Sequence, residues 1–149
     1  MKILVTGGAG FIGSHVADAY INQGHEVVII DDLSTGVSAN LTPKAKFYEL
    51  DICSAEAAAA IRTEQPDLIN HHAAQIRVDI AAKDPIFDAQ INILGFLNLL
   101  QAAKNVKSVK KIILASTGGA MYGPQPTPFI ETMLPQPLSP YGISKLADE

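Results

Sequence analysis

The strand-like runs of this chain are apolar at successive positions rather than at every second one. Ile3-Leu4-Val5, Val27-Val28-Ile29-Ile30 and Ile112-Ile113-Leu114 are the plainest cases. A strand with one wet face alternates, whereas one covered on both faces reads as a continuous apolar run. Five strands are predicted, at Lys2–Thr6, Glu26–Ile30, Ala45–Leu50, Asp67–Asn70 and Lys111–Ser116. Helical patterns lie between them: Phe11 to about Asn22, Ser54–Glu64 with Ser54 as its cap, and Pro85–Ala103. In the last, Ile86, Ala89, Ile93, Phe96, Leu97 and Leu100 recur at helical spacing. Alternating strands and helices predict an α/β fold of the Rossmann type, a doubly wound parallel sheet.

Size and charge narrow the function. A chain of 149 residues is one domain's worth, and 48% apolar against 17% charged leaves room for a core. Eleven basic residues against fifteen acidic ones give a net charge of −4, and only Arg62 and Arg77 are arginines. That balance argues against nucleic acid and against an acidic membrane surface as partners. Lys104, Lys107, Lys110 and Lys111 read as a solvated helix end and loop. The single cysteine, Cys53, excludes a disulfide framework and a cysteine-based zinc site, and is expected to be a small buried hydrophobe. Strand-like apolar runs only a few residues long predict no bilayer span. Gly7 and Gly8 interrupt the first apolar run too early for a signal peptide, so a cytoplasmic location is the default expectation.

Two regions break the regular alternation. Gly118 to Pro140 holds six of the nine prolines without periodicity, which predicts a functional loop anchored by Tyr122, Phe129, Ile130, Met133 and Leu134. Ser139-Pro140 then reads as an N-cap followed by proline at the first helical position. That helix reaches Glu149 with no capping glycine. The expectation is an N-terminal part of a longer protein, cut within the helix that follows the fifth strand.

The turn after the first strand is Gly7-Gly8-Ala9-Gly10-Phe11-Ile12-Gly13, which matches G-x-G-x-x-G from Gly8. Glycines allow a tight turn and close approach to a pyrophosphate, and the following helix start offers free N–H groups. The second strand ends at Asp31-Asp32, with Asp31 18 residues beyond Gly13. A carboxylate there accepts from adenosine ribose hydroxyls and repels a 2′-phosphate. No lysine or arginine between Asp32 and Pro43 offsets that repulsion, so NAD is expected over NADP. His71-His72 suggests no metal site, since adjacent strand residues point to opposite faces and no third ligand is evident.

Tyr141 and Lys145 are four apart on the final predicted helix and share one face. Tyrosine, with a pKa near 10, is a poor base at neutral pH, and a neighbouring ammonium favours its ionised form. Ser116-Thr117 ends the fifth strand and brings hydroxyls toward the same edge.

Taken with the segments Asp51-Ile52, His71-His72-Ala73-Ala74-Gln75, Asn92 with Gly95, and Ser139-Pro140-Tyr141-Gly142-Ile143-Ser144-Lys145, the chain resembles the extended short-chain dehydrogenase/reductase family. Within it the likeness is to nucleotide-sugar epimerases of the UDP-glucose 4-epimerase type. The likeness runs through the whole chain and covers about half of a typical member. It implies an incomplete NAD-binding domain at 1–149, the sugar-nucleotide domain lying outside it. It implies pyrophosphate contacts at Gly7, Gly10, Phe11, Ile12 and Gly13, and ribose contacts at Asp31 with Asp32, Ser34, Thr35 and Gly36 around it. Asp51 and Ile52 would border the adenine. His72, Ala73, Ala74 and Gln75 would line the cofactor's central stretch, with Asn92 nearby. Tyr141 would be the proton acceptor, with Lys145 also bonding the nicotinamide ribose. A UDP-sugar partner and a homodimer, paired through Pro85–Ala103 and the helix begun at Pro140, follow from the same likeness.

Gly118 stands where the family usually places a catalytic Ser or Thr, so Thr117 or Ser116 could take over. Gly119 and Ala120 stand where the 4,6-dehydratases place an Asp-Glu pair, which disfavours water elimination. A 4-epimerase is the expected activity. The rivals are another sugar-nucleotide enzyme of the family, such as a decarboxylase, reductase or dehydratase, and a non-catalytic NAD-binding module. The cut chain alone is expected to be inactive.

Overall fold

The continuous apolar runs form the centre of one parallel sheet. A computed structural model describes residues 1–149. Its strands are β1 (Lys2–Thr6), β2 (Glu26–Asp31), β3 (Lys46–Glu49), β4 (Leu68–His71) and β5 (Lys111–Leu114), in the order β3-β2-β1-β4-β5. All four pairings are parallel, and Thr6 lies opposite Ile30 on one side and His71 on the other. That register sets Gly7, Asp31 and His72 side by side at the carboxyl edge.

Successive residues of the central strands feed two cores, which is why the runs do not alternate. Leu4, Val28, Ile30 and Ile69 pack on α2 (Ala55–Glu64) and α5 (Gly95–Ala103), against Ile61, Leu99 and Ala102. Ile3, Val5, Val27 and Ile29 pack on the opposite face with Ala17 of α1 (Phe11–Asn22). The Rossmann-type expectation holds. The predicted caps form too: Ser54 accepts from Ala57 N at 3.0 Å, and Ser139 from Gly142 N at 3.1 Å at the start of α7 (Pro140–Asp148), with Pro140 in its first turn.

Three regions differ from the sequence reading. The Pro85–Ala103 helix is not uniform: α4 (Pro85–Ala89) passes into one π turn at Gln90–Leu94 before α5. Its buried side carries Asp88, Asn92, Phe96 and Leu99, while Ile86 and Leu97 of the periodic stripe face outward. The short helix α6 (Gly118–Tyr122) occupies the start of the stretch read as loop, and α3 (Val78–Lys83) lies where no element was predicted. Cys53 is exposed rather than buried, because it sits in a turn capped by Asp51, its N–H donating to Asp51 Oδ1 at 2.8 Å.

Pro85–Ala103 is 19 residues long with a mean hydropathy of 1.2, long and apolar enough to cross a membrane by composition. Here it lies along the sheet and holds the buried polar groups Asp88 and Asn92, as the core helix of a folded domain does. The lysines at 104, 107, 110 and 111 are exposed, as expected.

Candidate active site

Backbone alone shapes the first half of the site. Gly7 has φ +68°, and a Cβ there would lie 2.6 Å from Ala73 N, so only glycine lets β1 pass this close to the segment after β4. A Cβ on Gly13 would meet Gly7 O at 2.1 Å, so α1 could not dock against the turn. Gly10 caps α1 without a side-chain hydrogen bond, and no acidic residue lies in the first turn. The first amides of α1 therefore have no partner from a capping side chain, and Phe11 and Ile12 beside them are exposed. A helix start of this kind favours an anion.

Asp31 is buried beside the turn. Its two oxygens accept from Ala9 N and Leu33 N, each at 2.9 Å. A carboxylate offers about four acceptor sites, so capacity for two hydroxyl donors remains. A Cβ on Gly36 would meet Asp31 Oδ1 at 2.7 Å, which keeps the loop Asp32–Gly36 folded over that carboxylate. Asp32 is exposed and bonds Ser34 through both N–H and hydroxyl. Asp51 is exposed, whereas the Ile52 side chain belongs to the core and its carbonyl accepts from Asn98.

Thr6 organises the far wall, a role the sequence reading missed. Its hydroxyl is 2.6 Å from His71 Nδ1 and accepts from the N–H groups of His72 and Ala73 at 3.2 Å. His71 is stacked on Phe96, and burial, followed by the Lys145 charge, pushes its pKa down to about 3. It is a neutral ring at any physiological pH. The His72 ring is half-buried, its Nε2 enclosed without a protein partner, and burial lowers its pKa. Gln75 turns inward: its carboxamide bonds Arg77 and Asp88, and its backbone bonds Asn92 on both sides. Asn92 is spent on Gln75 and on Asp88.

The third wall sets the Thr117 hydroxyl against Tyr141, with Lys145 one turn further along α7. Tyr141 is half-buried and its pKa is raised, chiefly by burial. The Thr117 hydroxyl opposes that shift, while the charges of Asp88 and Asp148 add to it. Lys145 Nζ bonds Asp148 Oδ2 at 2.8 Å, and both side chains are only 2% exposed, so the ammonium already has a carboxylate partner on its own helix. Ser116 points elsewhere, donating to Glu149, so of the two alternatives Thr117 is the hydroxyl facing the phenol. Beside it a cleft of about 390 Å³ opens between α3 and α6, lined by Val78, Gly119, Ala120, Gly123, Pro124, Leu138 and Ser139.

A glycine turn into an uncapped helix and an acidic second-strand end at the carboxyl edge define a dinucleotide-binding α/β domain. The model of the NAD dependent epimerase/dehydratase family matches residues 3–149, and the chain belongs to that family. It is 41% identical over its whole length to a UDP-glucose 4-epimerase of Mycolicibacterium smegmatis, of which it covers 49%. The crystal structure of a Thermotoga maritima UDP-glucose 4-epimerase with UDP-glucose superposes with a TM-score of 0.94 at 46% identity, over 99% of this chain and 48% of that one. A Thermus thermophilus UDP-glucose 4-epimerase in complex with NAD gives 0.95 at 42% identity, over 99% and 48%. The chain thus spans about half the length of the relatives it matches.

Proposed function

We propose that this chain is the NAD-binding part of a nucleotide-sugar 4-epimerase of the UDP-glucose/UDP-galactose type. The sugar-nucleotide domain would be supplied by sequence beyond residues 1–149. The observation that carries the reading is the Thr117 hydroxyl at Tyr141, one turn before Lys145 on α7, at the same sheet edge as the glycine turn and Asp31. Gly7, Gly10, Phe11, Ile12 and Gly13 hold the pyrophosphate at the uncapped start of α1. Asp31 takes the adenosine ribose, with Asp32, Ser34, Thr35 and Gly36 forming the loop over it and Asp51 and Ile52 at the adenine. His72, Ala73 and Ala74 would line the rest of the cofactor, with Gln75 and Asn92 bracing that segment from within, while Ser116, turned to Glu149, stands apart from it. The unpartnered His72 Nε2 is the one side-chain atom there with an unmet hydrogen bond.

When bound, oxidised NAD supplies a hydride acceptor and a positive charge. Tyr141 takes the proton from the sugar 4′-hydroxyl, and the Thr117 hydroxyl steadies the same oxygen. Lys145 would bond the nicotinamide ribose, and a shift of its ammonium from Asp148 toward the phenol would favour the ionised form of Tyr141. The C4 hydride that leaves with that proton would be held by the bound cofactor, and its return to the other face of the 4-keto sugar, with the proton given back by Tyr141, would invert C4 with no net redox change. Ile86, Phe87, Leu94, Leu97 and Ile143 are exposed on α4, the π turn, α5 and α7, which supports pairing of two copies through these helices. A lone unpaired cysteine suits a cytoplasmic setting. The test is to incubate the full-length protein with NAD and UDP-galactose and follow UDP-glucose. Its formation without net NADH supports the reading; tight NAD binding with no turnover assigns a binding module instead.

A further inference from the structure

We propose that Asp88 is a positioning residue that ties the segment after β4 to the helix carrying Tyr141 and Lys145. Asp88 lies on α4 with no solvent exposure and no lysine or arginine within ion-pairing distance. A carboxyl group in such a place is costly unless its acceptors are met. Three donors meet them, each from a different segment. Gln75 Nε2 reaches Oδ1 at 2.8 Å and Asn92 Nδ2 reaches it at 3.1 Å, while Ser144 Oγ reaches Oδ2 at 2.7 Å.

Each donor has a consequence for the site. Asn92 also grips the backbone of Gln75, accepting its N–H at 2.9 Å and donating to its carbonyl at 3.0 Å. Gln75 in turn bonds Arg77, the residue that opens α3. The path from Ala73, pressed against Gly7, to α3 is therefore held at one point. Ser144 precedes Lys145 and follows Tyr141 by three residues, so its bond sets the height of α7 against that point. One buried carboxyl group thus fixes the distance between the cofactor wall and the proton-transfer pair. Misplacement by about 1 Å at reacting groups can cost on the order of a hundredfold in rate.

The kinetic arm of the test rests on the function proposed above; the exchange arm does not. Ser144→Ala deletes a single hydroxyl and leaves the other two donors on Asp88. Hydrogen exchange on the NAD-loaded protein should show amides of residues 72–77, remote in sequence, exchanging about tenfold faster, with the β1 and β2 amides unchanged. Asp88→Ala should do the same or more. Asp88→Asn should restore most of the protection, because its amide can donate to Ser144 Oγ while its oxygen accepts from Gln75 and Asn92. In the full-length protein Ser144→Ala should lower kcat for UDP-galactose about tenfold with KM and NAD occupancy held. Parental exchange at 72–77 in Ser144→Ala overturns the proposal, as does a uniform rise across the sheet or an Asp88→Asn that exchanges as freely as Asp88→Ala. If the parent protein turns over no UDP-galactose, the functional reading fails and the exchange data alone decide the coupling.

Discussion

At the amino edge of the sheet, Glu64 ends α2 and is enclosed by Lys2, Lys46 and Tyr48, each donating to its carboxylate. At the carboxyl edge the polar groups are met only in part: α1 starts without a capping side chain, and His72 Nε2 is enclosed without a partner. The Glu64 cluster is thus closed on itself, while the edge at the glycine turn is open. Buried polar groups in folded chains are nearly always paired. Asn70 Oδ1 and Ser108 Oγ are also enclosed without a partner, so what singles out the carboxyl edge is an unmet His72 Nε2 at the same edge as the uncapped amides of α1. The pairing at the Glu64 end is a stability device. The incomplete end is where a ligand belongs, as the rule for open α/β sheets requires.

The strongest way to break this contrast is at Tyr141. Tyr141→Phe in the full-length protein keeps the ring and removes the proton acceptor, so UDP-galactose turnover should fall about 10²- to 10⁴-fold. NAD content per subunit, measured after denaturation and extraction, should be unchanged. Turnover near the parental level would remove Tyr141 from the mechanism.

The next test sharpens the open end by cofactor choice. Asp31→Ala removes a carboxylate expected to accept from the ribose hydroxyls and to repel a 2′-phosphate. It also frees the Ala9 and Leu33 amides that the carboxylate now holds. A charge-assisted hydrogen bond contributes about 1.5–3 kcal/mol, so the preference for NAD over NADP should shrink roughly ten- to a hundredfold in calorimetric titrations. Equal affinity for both dinucleotides in the unaltered chain would overturn the assignment.

The two edges were not equally legible. The glycine turn and Asp31 lie within one strand–helix–strand unit, and their geometry follows from local backbone chemistry, so spacing alone placed them. The pairing of Lys145 with Asp148 was hidden although only three residues separate them. Either acid near the end of α7, Asp148 or Glu149, offers a partner, and burial decides between them. Asp88 was hidden for a different reason. On a helix whose Ile86, Ile93 and Leu97 form an apolar stripe, an acid at position 88 reads as surface. The π turn at Gln90–Leu94 and the approach of α7 bury that side instead, and Asn92 four residues on was the available signal. Glu64 likewise reads as the polar end of an alanine-rich helix. Its three donors come from β1 and β3, which only the strand order β3-β2-β1 brings together.

The smallest expected effect tests the closed end. Glu64→Gln keeps the shape of the side chain but removes the charge that Lys46 and Lys2 bond. The Lys46 hydrogen bond, then Tyr48 and Lys2, hold the Glu64 pKa at about 2, against an ordinary value near 4.5. A carboxyl group depressed in the folded state contributes its full stability above the unfolded value and loses it as pH falls through the folded one. Urea unfolding at pH 7 should therefore show Glu64→Gln less stable by about 1–2 kcal/mol. The gap should narrow as pH drops from about 4.5 toward 2, because the parent loses there what the variant already lacks. NAD affinity should stay within twofold, since no part of the Glu64 cluster reaches the carboxyl edge. A variant with parental stability would reduce the cluster to a surface ornament. One with weakened NAD binding would show that the two ends of the sheet are coupled, and the contrast between closed and open edges would fail.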